Sequence, residues 1–282
     1  MANQIIEEKE KKAPFSVVIA SDGYKRMINN TLSDPAVARK FVADICAVVA
    51  NNATLKECEP ATVVAAGLVA ASLKLPLAGN LGFAYIVPFN DKKSGVKKAQ
   101  FQVGWKGLVQ LSQRSGAFER LGSRAVHKGE YKGQDEFGDD LFVFSHDYDN
   151  EEVVGYYAYF KLLNGFTKTL YMTKEQCEKH AYKYSSSYKY DKDKSTLWNT
   201  EFDTMAQKTV LKLLLNRYAP LSVEMQTAIK ADQAVVNEDG TYEYIDNEKT
   251  TAKTNVRNSI KEVDDTKDAT EEQIGFEDIF IK

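Results

Sequence analysis

Between Lys92 and Lys132 this 282-residue chain places ten Lys or Arg against two acids, Glu119 and Glu130. That segment carries +8 in a protein of net charge −3. Phe83, Tyr85, Phe89, Phe101, Trp105 and Phe118 are interleaved with the bases. Cations neutralise phosphates and aromatic faces stack on bases, so the mixture suits a sequence-tolerant binder of single-stranded nucleic acid. Within it, WKGLVQLSQRS sets Lys106, Gln110, Gln113 and Arg114 on one face if the stretch is helical. That face is either a phosphate-tracking stripe with amides for sugar or base, or an ordinary solvated surface. The neighbouring Lys97, Lys98, Arg124 and Lys128 favour the stripe.

A later stretch, EFDTMAQKTVLKLLLNR, repeats the pattern. Phe202, Met205, Ala206, Thr209, Val210, Leu213 and Leu214 form an apolar stripe for the core. Lys208 and Lys212 lie on another face without acidic i,i+4 partners, and Arg217 ends the helix, where a cation also suits the dipole. The residues expected to contact phosphate are Lys97, Lys98, Lys106, Arg114, Arg124, Lys208, Lys212 and Arg217. Replacing Lys208 and Lys212 together by Ala is expected to weaken binding and leave the fold intact. Tyr182, Tyr184, Tyr188 and Tyr190 alternate with Lys183 and Lys189; stacking on bases and local packing are both open for them. Trp105, Phe101 and Tyr85 read as packing residues.

Other chemistry finds little footing. There is no G-x-x-x-x-G-K-[ST], so ATP-driven strand exchange is unsupported, and no Gly-x-Gly-x-x-Gly. His127, His146 and His180 lack metal-ligand spacing. Asp135, Glu136, Asp139 and Asp140, with Asp147 and Asp149, are the one set that suggests a Mg2+-dependent nuclease, and such acid-rich loops are more often solvated turns. Cys46, Cys58 and Cys177 are too few and scattered for a disulfide framework or a zinc site. No run approaches a membrane span, and MANQIIEEKEKKAPF lacks the apolar core of an export signal, so a reducing cytoplasm is expected.

The elements that must hold these residues follow from periodicity. Asp34-Pro35 starts a helix with Val37, Phe41, Ile45 and Val48 on one face; Glu59-Pro60 starts an Ala-rich, buried one. Phe83–Phe89 and Ala99–Trp105 predict a hairpin with a basic tip, and Trp105–Ser115 a helix stopped by Gly116. Strands are expected at Ser123–His127 and Leu141–Ser145. A further hairpin turns at Asn164-Gly165, a type I′ signal. Thr173 and Gln176 form a capping box, Asn199 or Thr200 caps the late helix, and Ser222 caps a short one. The order predicts an α+β fold: helices around a central antiparallel, hairpin-rich sheet. Residues 1–13 are expected to be a disordered tail, 14–232 the nucleic-acid-binding domain, and 233–282 an acidic flexible tail. From Lys230 onward the charge is −7, leaving +4 on the rest. The end, GFEDIFIK, has Phe276, Ile279, Phe280 and Ile281 among acids and is a candidate partner-docking peptide.

The blocks LAGNLGFAYIVPF (77–89), FQVGWKGLVQLSQRSGAF (101–118) and WNTEFDTMAQKTVLKLLLNRYAPLS (198–222) resemble the signature of the RecT family of phage single-strand annealing proteins. The resemblance runs from Asp34 to Ile229. It implies ATP-independent annealing of single-stranded DNA to an annealed duplex by ring or helical homo-oligomers, with no cofactor required and Mg2+ at most modulating DNA binding. It also implies a 5′→3′ exonuclease partner; that exonuclease or a host single-strand-binding protein is the candidate partner for the GFEDIFIK end. A metal-dependent nuclease and an RNA-binding or chaperone module are the alternatives, because charge and aromatics do not separate DNA from RNA.

Overall fold

A computed structural model of the protein describes residues 13–91, 94–138, 140–237 and 241–244. Two short helices, α1 (Phe15–Ile19) and α2 (Asp22–Thr31), precede α3 (Pro35–Ala50). Asp34 caps α3 by accepting from the Ala36 N–H at 2.7 Å, with Pro35 at the first helical position. Phe41 and Ile45 are buried in α3 as expected, and Ala38 and Val49 complete the stripe in place of Val37 and Val48; Val37 remains 45% exposed. Helix α4 (Pro60–Ser72) is apolar on every side and buried from Thr62 to Ala70. The hairpin β1 (Ala84–Asn90) and β2 (Lys97–Val103) packs on it.

Next come α5 (Trp105–Arg114), β3 (Phe118–His127), a small hairpin of β4 (Tyr131–Gln134) and β5 (Asp140–Phe142), then β6 (Val153–Leu162) and β7 (Thr167–Thr173). Strands β3, β6 and β7 form an antiparallel sheet in the order β3-β6-β7. The expected strand at Leu141–Ser145 is thus shorter, and its partner β4 had no sequence signal. In the β6–β7 turn only Gly165 has positive φ (+89°), while Asn164 does not, so the type I′ turn is corrected. The loop is longer, closed by Leu162 N–H to Phe166 O at 2.8 Å, with one left-handed glycine.

The chain continues through α6 (Lys174–Tyr184), α7 (Ser186–Lys189), α8 (Leu197–Thr200), α9 (Phe202–Tyr218) and α10 (Val223–Ala231). The Thr173–Gln176 capping box forms as expected, at 3.1 and 2.9 Å, and Ser222 caps α10 at 3.2 Å. The expected cap of α9 does not form: Asn199 and Thr200 lie inside α8, and Glu201 stands at the cap position of α9 without a side-chain cap bond; Asn199 donates its side-chain amide to Asp191 (2.8 Å). Asp191 also accepts from the Thr196 N–H at 2.7 Å, and that bond first among several holds its carboxyl well below the usual carboxylate range.

Helix α9 lies against one face of the three-stranded sheet, where Tyr156, Ala158, Phe160 and Leu162 of β6 are all buried. The fold also runs past Asp232. Ala234, Val235 and Val236 are buried, β8 (Val235–Val236) pairs with β9 (Tyr242–Glu243), and Gln233 donates to Phe101 O of β2 at 2.9 Å. The boundary expected at 232/233 therefore falls inside packed structure, because Asp232 and the apolar residues after it complete the β2 side. Residues 1–12 and 245–282, including GFEDIFIK, lie outside the described residues. The fold is α+β with antiparallel sheets. Among the described residues no helix is long and apolar enough to cross a membrane.

Candidate nucleic-acid interface

The best-defined part of the site is the start of α5. Gly104 caps the helix and donates to Phe83 O at 2.8 Å, bringing residues 82–83 against the first turn. A Cβ at Gly104 would stand 2.0 Å from Gly82 O, and one at Gly107 would stand 2.2 Å from Phe83 O. Only glycine allows that approach. This explains physically why the residues of LAGNLGF and VGWKG occur together. Lys106 leaves the same turn beside Gly82 and Tyr85: the carbon a side chain would add at Gly82 lies 3.6 Å from both the Lys106 Cδ and the Tyr85 hydroxyl. Lys106 is exposed and has no ion-pair partner among the described residues. Trp105 turns the other way, its indole donating to Ser123 Oγ at 2.8 Å. Phe101 is fully buried, as expected of a packing residue.

The other expected phosphate contacts are in different circumstances. Arg114 donates to Leu73 O at 2.7 Å and Lys74 O at 2.9 Å, satisfying carbonyls left open at the end of α4. Lys97 pairs with Glu57, and Lys98 with Asp91 at 3.0 Å and Glu243 at 3.7 Å. Arg124 pairs with Glu130 at 3.1 Å while its guanidinium lies 4.1 Å over the Phe144 ring. Glu130 is fully buried and also accepts the His127 N–H at 2.7 Å, so Arg124 neutralises a carboxylate inside the fold.

Lys208 and Lys212 face inward. Lys208 is only 8% exposed and its ammonium lies 3.7 Å from Asp232; Lys212 donates to the same carboxylate. Asp232 also accepts the Val103 N–H at 3.0 Å, so one buried acid ties α9 to β2 and the end of α10. Burial opposes its charge, but Lys208 and Lys212 prevail and hold the carboxyl below its ordinary value. Burial likewise depresses the Lys208 ammonium, with Asp232 opposing. The expectation that Lys208→Ala with Lys212→Ala leaves the fold intact is therefore corrected, since it would strand a buried carboxylate. Helical spacing exposes only acids within one turn of α9, and the partner of both lysines stands at the end of α10. The apolar stripe of α9 is wider than expected for the same reason, with Leu211 and Leu215 also buried.

Arg217 is exposed in the last turn of α9, its guanidinium 5.3 Å over the Tyr218 ring; Lys168 of β7 approaches that ring to 5.6 Å. Lys168 was missed by sequence reasoning. Its signal is a lysine on the inward register of β7, paired with Phe160 and in line with Leu170 and Met172. Of the four tyrosines at the end of α6 and in and just after α7, Tyr182 and Tyr190 are 57% and 54% exposed around Lys189, which lies 5.4 and 5.3 Å from their rings. Tyr188 packs on Trp198 and Tyr184 on His180.

A second aromatic group was not anticipated. On the sheet face away from α9, Tyr131 stacks on Tyr171 (5.2 Å), and Phe142 packs on Tyr157 (4.6 Å) and Phe144 (5.5 Å). The alternation in VVGYYAYFKL, with Tyr157 and Tyr159 opposite Tyr156, Ala158 and Phe160, was the readable signal.

The acids weighed for Mg2+ are spread and engaged. Asp140 accepts from Tyr131 and Gln134, Asp147 from Ser145, and Asp149 pairs with His146. Asp139 lies outside the described residues. No group of three His, Cys, Asp or Glu is placed to hold a metal among the described residues.

The chain is 36% identical over 255 residues to an uncharacterized protein, YqaK, of Bacillus subtilis (strain 168), covering 86% of this chain and 82% of that one. It is 32% identical over 183 residues to Protein RecT of Escherichia coli (strain K12), covering 64% of this chain and 65% of the other, a little under two thirds of its length. The sequence model of the RecT family matches residues 39–270, which takes in the glycine-locked start of α5, the Asp232 cluster and both ends of α9. The chain belongs to the RecT family.

Proposed function

We propose that this protein is an ATP-independent single-strand annealing protein of homologous recombination, binding single-stranded DNA and pairing complementary strands. The observation that carries the reading is the family match across residues 39–270, together with an exposed lysine on its glycine-locked turn. Lys106 and Arg217 are the proposed direct phosphate contacts, with Lys168 beside Arg217. Arg124, Lys97 and Lys98 contribute positive field while already balancing acids. Arg114, Lys208 and Lys212 act as positioning residues that set α5 and α9.

The protein's part in the reaction is electrostatic. Each strand carries a phosphate per nucleotide, and repulsion between strands slows their encounter. Cations along one strand remove that repulsion and leave the base edges to find their complements, so sequence specificity resides in the DNA. No nucleotide hydrolysis is needed, because base pairing itself supplies the driving force. An exonuclease that generates single strands, and a host single-strand-binding protein that yields them, are the proposed partners.

The test mixes two complementary dye-labelled oligonucleotides with the protein, without ATP, and follows energy transfer against spontaneous pairing. The same samples are run on a denaturing gel with and without Mg2+. Faster pairing of intact strands is the expected result. No acceleration sinks the annealing reading, Mg2+-dependent shortening returns the nuclease, and preference for matched RNA returns the RNA-binding module.

A further inference from the structure

The β4–β5 hairpin and the α3 face carry apolar surfaces that the nucleic-acid site does not use. On the hairpin and the residues after it, Phe137 is 82% exposed, Val143 54%, Leu141 46% and Phe144 38%. Phe137, Leu141 and Val143, so close in sequence and so exposed, mark an interaction surface rather than scattered exposure, while Phe144 is held between Arg124 and Phe142. On the other side, α3, residues 74–81 and β1 enclose a groove of about 830 Å3. Its walls include Val37, Phe41, Val48, Leu75, Leu77 and Leu81. Val37 and Leu81 are 45% and 42% exposed, and Val37 is the residue that left the buried stripe of α3.

The charges at the two surfaces match. Exposed Asp135 and Glu136 precede Phe137 on the hairpin. The groove's lip carries Lys40 and Lys74 against one acid, Asp44, which Lys40 already holds at 2.6 Å. The hairpin is fixed in place by ring contacts of Tyr131 and Phe142 to Tyr157 and Tyr171, none of which lines the groove. It is thus held away from the groove of its own chain.

We propose that the β4–β5 hairpin of one copy inserts Phe137 and its apolar neighbours into the α3 groove of a second copy. Two different surfaces meet in this contact. Each added copy therefore leaves one hairpin and one groove unused, and the array extends until it closes as a ring or continues as a helix. The contact uses no nucleic acid, so it stands or falls separately from the annealing reading.

The experiment uses three full-length proteins, wild type, Phe137→Ser on the hairpin and Val37→Asp at the groove, with a fourth lacking residues 275–282 as a control. Sedimentation velocity and mass photometry are run with and without a single-stranded oligonucleotide. Both substituted side chains are solvent-exposed, so melting temperatures within a degree or two of wild type are expected and serve as the folding control. Wild type should assemble, and each variant alone should be monomeric. A one-to-one mixture should give dimers and stop there, since each variant keeps one working surface. Assembly surviving both substitutions overturns the proposal, as does a wild type that stays monomeric in both conditions. A mixture that remains monomeric also overturns it, because it points to a contact between like surfaces. Assembly lost on deleting residues 275–282 but kept in Phe137→Ser would assign the groove to the chain's own end and likewise overturn it.

Discussion

In the sequence, Lys106 of α5 and Lys208 of α9 are alike: each is a lysine on a helix with polar or cationic residues a turn away. In the structure, Lys106 stands in solvent on a turn locked by Gly104 and Gly107, whereas Lys208 is 8% exposed beside Asp232. A helical stripe reports which residues share a face. It does not report what the rest of the chain places against that face. For α5 the neighbour is backbone, which glycine lets approach and which leaves the lysine free. For α9 it is a carboxylate twenty residues beyond Lys212, which buries the Lys208 ammonium and holds the half-buried Lys212.

The largest effect should follow from breaking the α9 cluster. Asp232→Ala leaves the buried Lys208 ammonium and the half-buried Lys212 ammonium without their counter-charge and the Val103 N–H without its acceptor. Removing one partner of a buried pair costs roughly 3–5 kcal/mol, so a large fall in the denaturant midpoint is expected. A fall under about 0.5 kcal/mol, typical of surface substitutions, would mean that Asp232 does not hold the cluster. Gly104→Ala comes next. Its Cβ would fall 2.0 Å from Gly82 O, and overpacking of this kind costs about 1–3 kcal/mol. Here stability and DNA affinity should drop together, since the same turn carries Lys106. An unchanged melting temperature would refute the backbone lock.

How far the sequence could be read follows from the same contrast. Elements with local causes were legible: the Asp34-Pro35 start of α3, the Thr173–Gln176 capping box, the Ser222 cap and the Ala-rich α4 all formed where residue chemistry within a few positions requires them. Features decided by distant residues were not. Lys208 faces inward because of Asp232, Arg114 is occupied because α4 ends beside it, and Asn199 misses its cap because it is taken up in α8, where it donates to Asp191. The residues after Asp232 read as linker because two-residue strands leave no periodicity, although Ala234 and Val235 are buried. Within the candidate site, Lys106 was legible from charge and block position; its isolation from acids was not.

A smaller effect probes the surroundings of α9 through pH. His180 on α6 is pushed down to about 4, first by burial and then by the charges of Lys212 and Lys183. Its ordinary value is 6.5, so between about pH 6.5 and 4 the unfolded chain binds a proton that the folded chain refuses. Stability from this group is complete above that window and declines as pH falls through it. Thermal melts at pH 7.0, 5.5 and 4.5 should show a decline that His180→Gln flattens. Equal slopes in the two proteins would exclude His180 as the cause.

The smallest effect on the fold, and the sharpest test of the comparison, belongs to Lys106. An exposed lysine without an ion-pair partner contributes little to stability, so Lys106→Ala should melt within about 0.5 kcal/mol of wild type. Its effect should appear in the salt dependence of single-strand binding. Each phosphate contact contributes about 0.7 to the slope of log K against log salt on single strands, and losing one contact should make that slope shallower by about that amount. Lys208→Ala should behave oppositely, losing stability while any binding it retains keeps the wild-type slope, because a buried ammonium paired with Asp232 releases no counterion from DNA. If Lys106→Ala leaves the slope unchanged and Lys208→Ala reduces it, the assignments of the two helices are reversed: α9 must then open on DNA to expose its lysines, and the buried cluster is the resting form of the site rather than its scaffold.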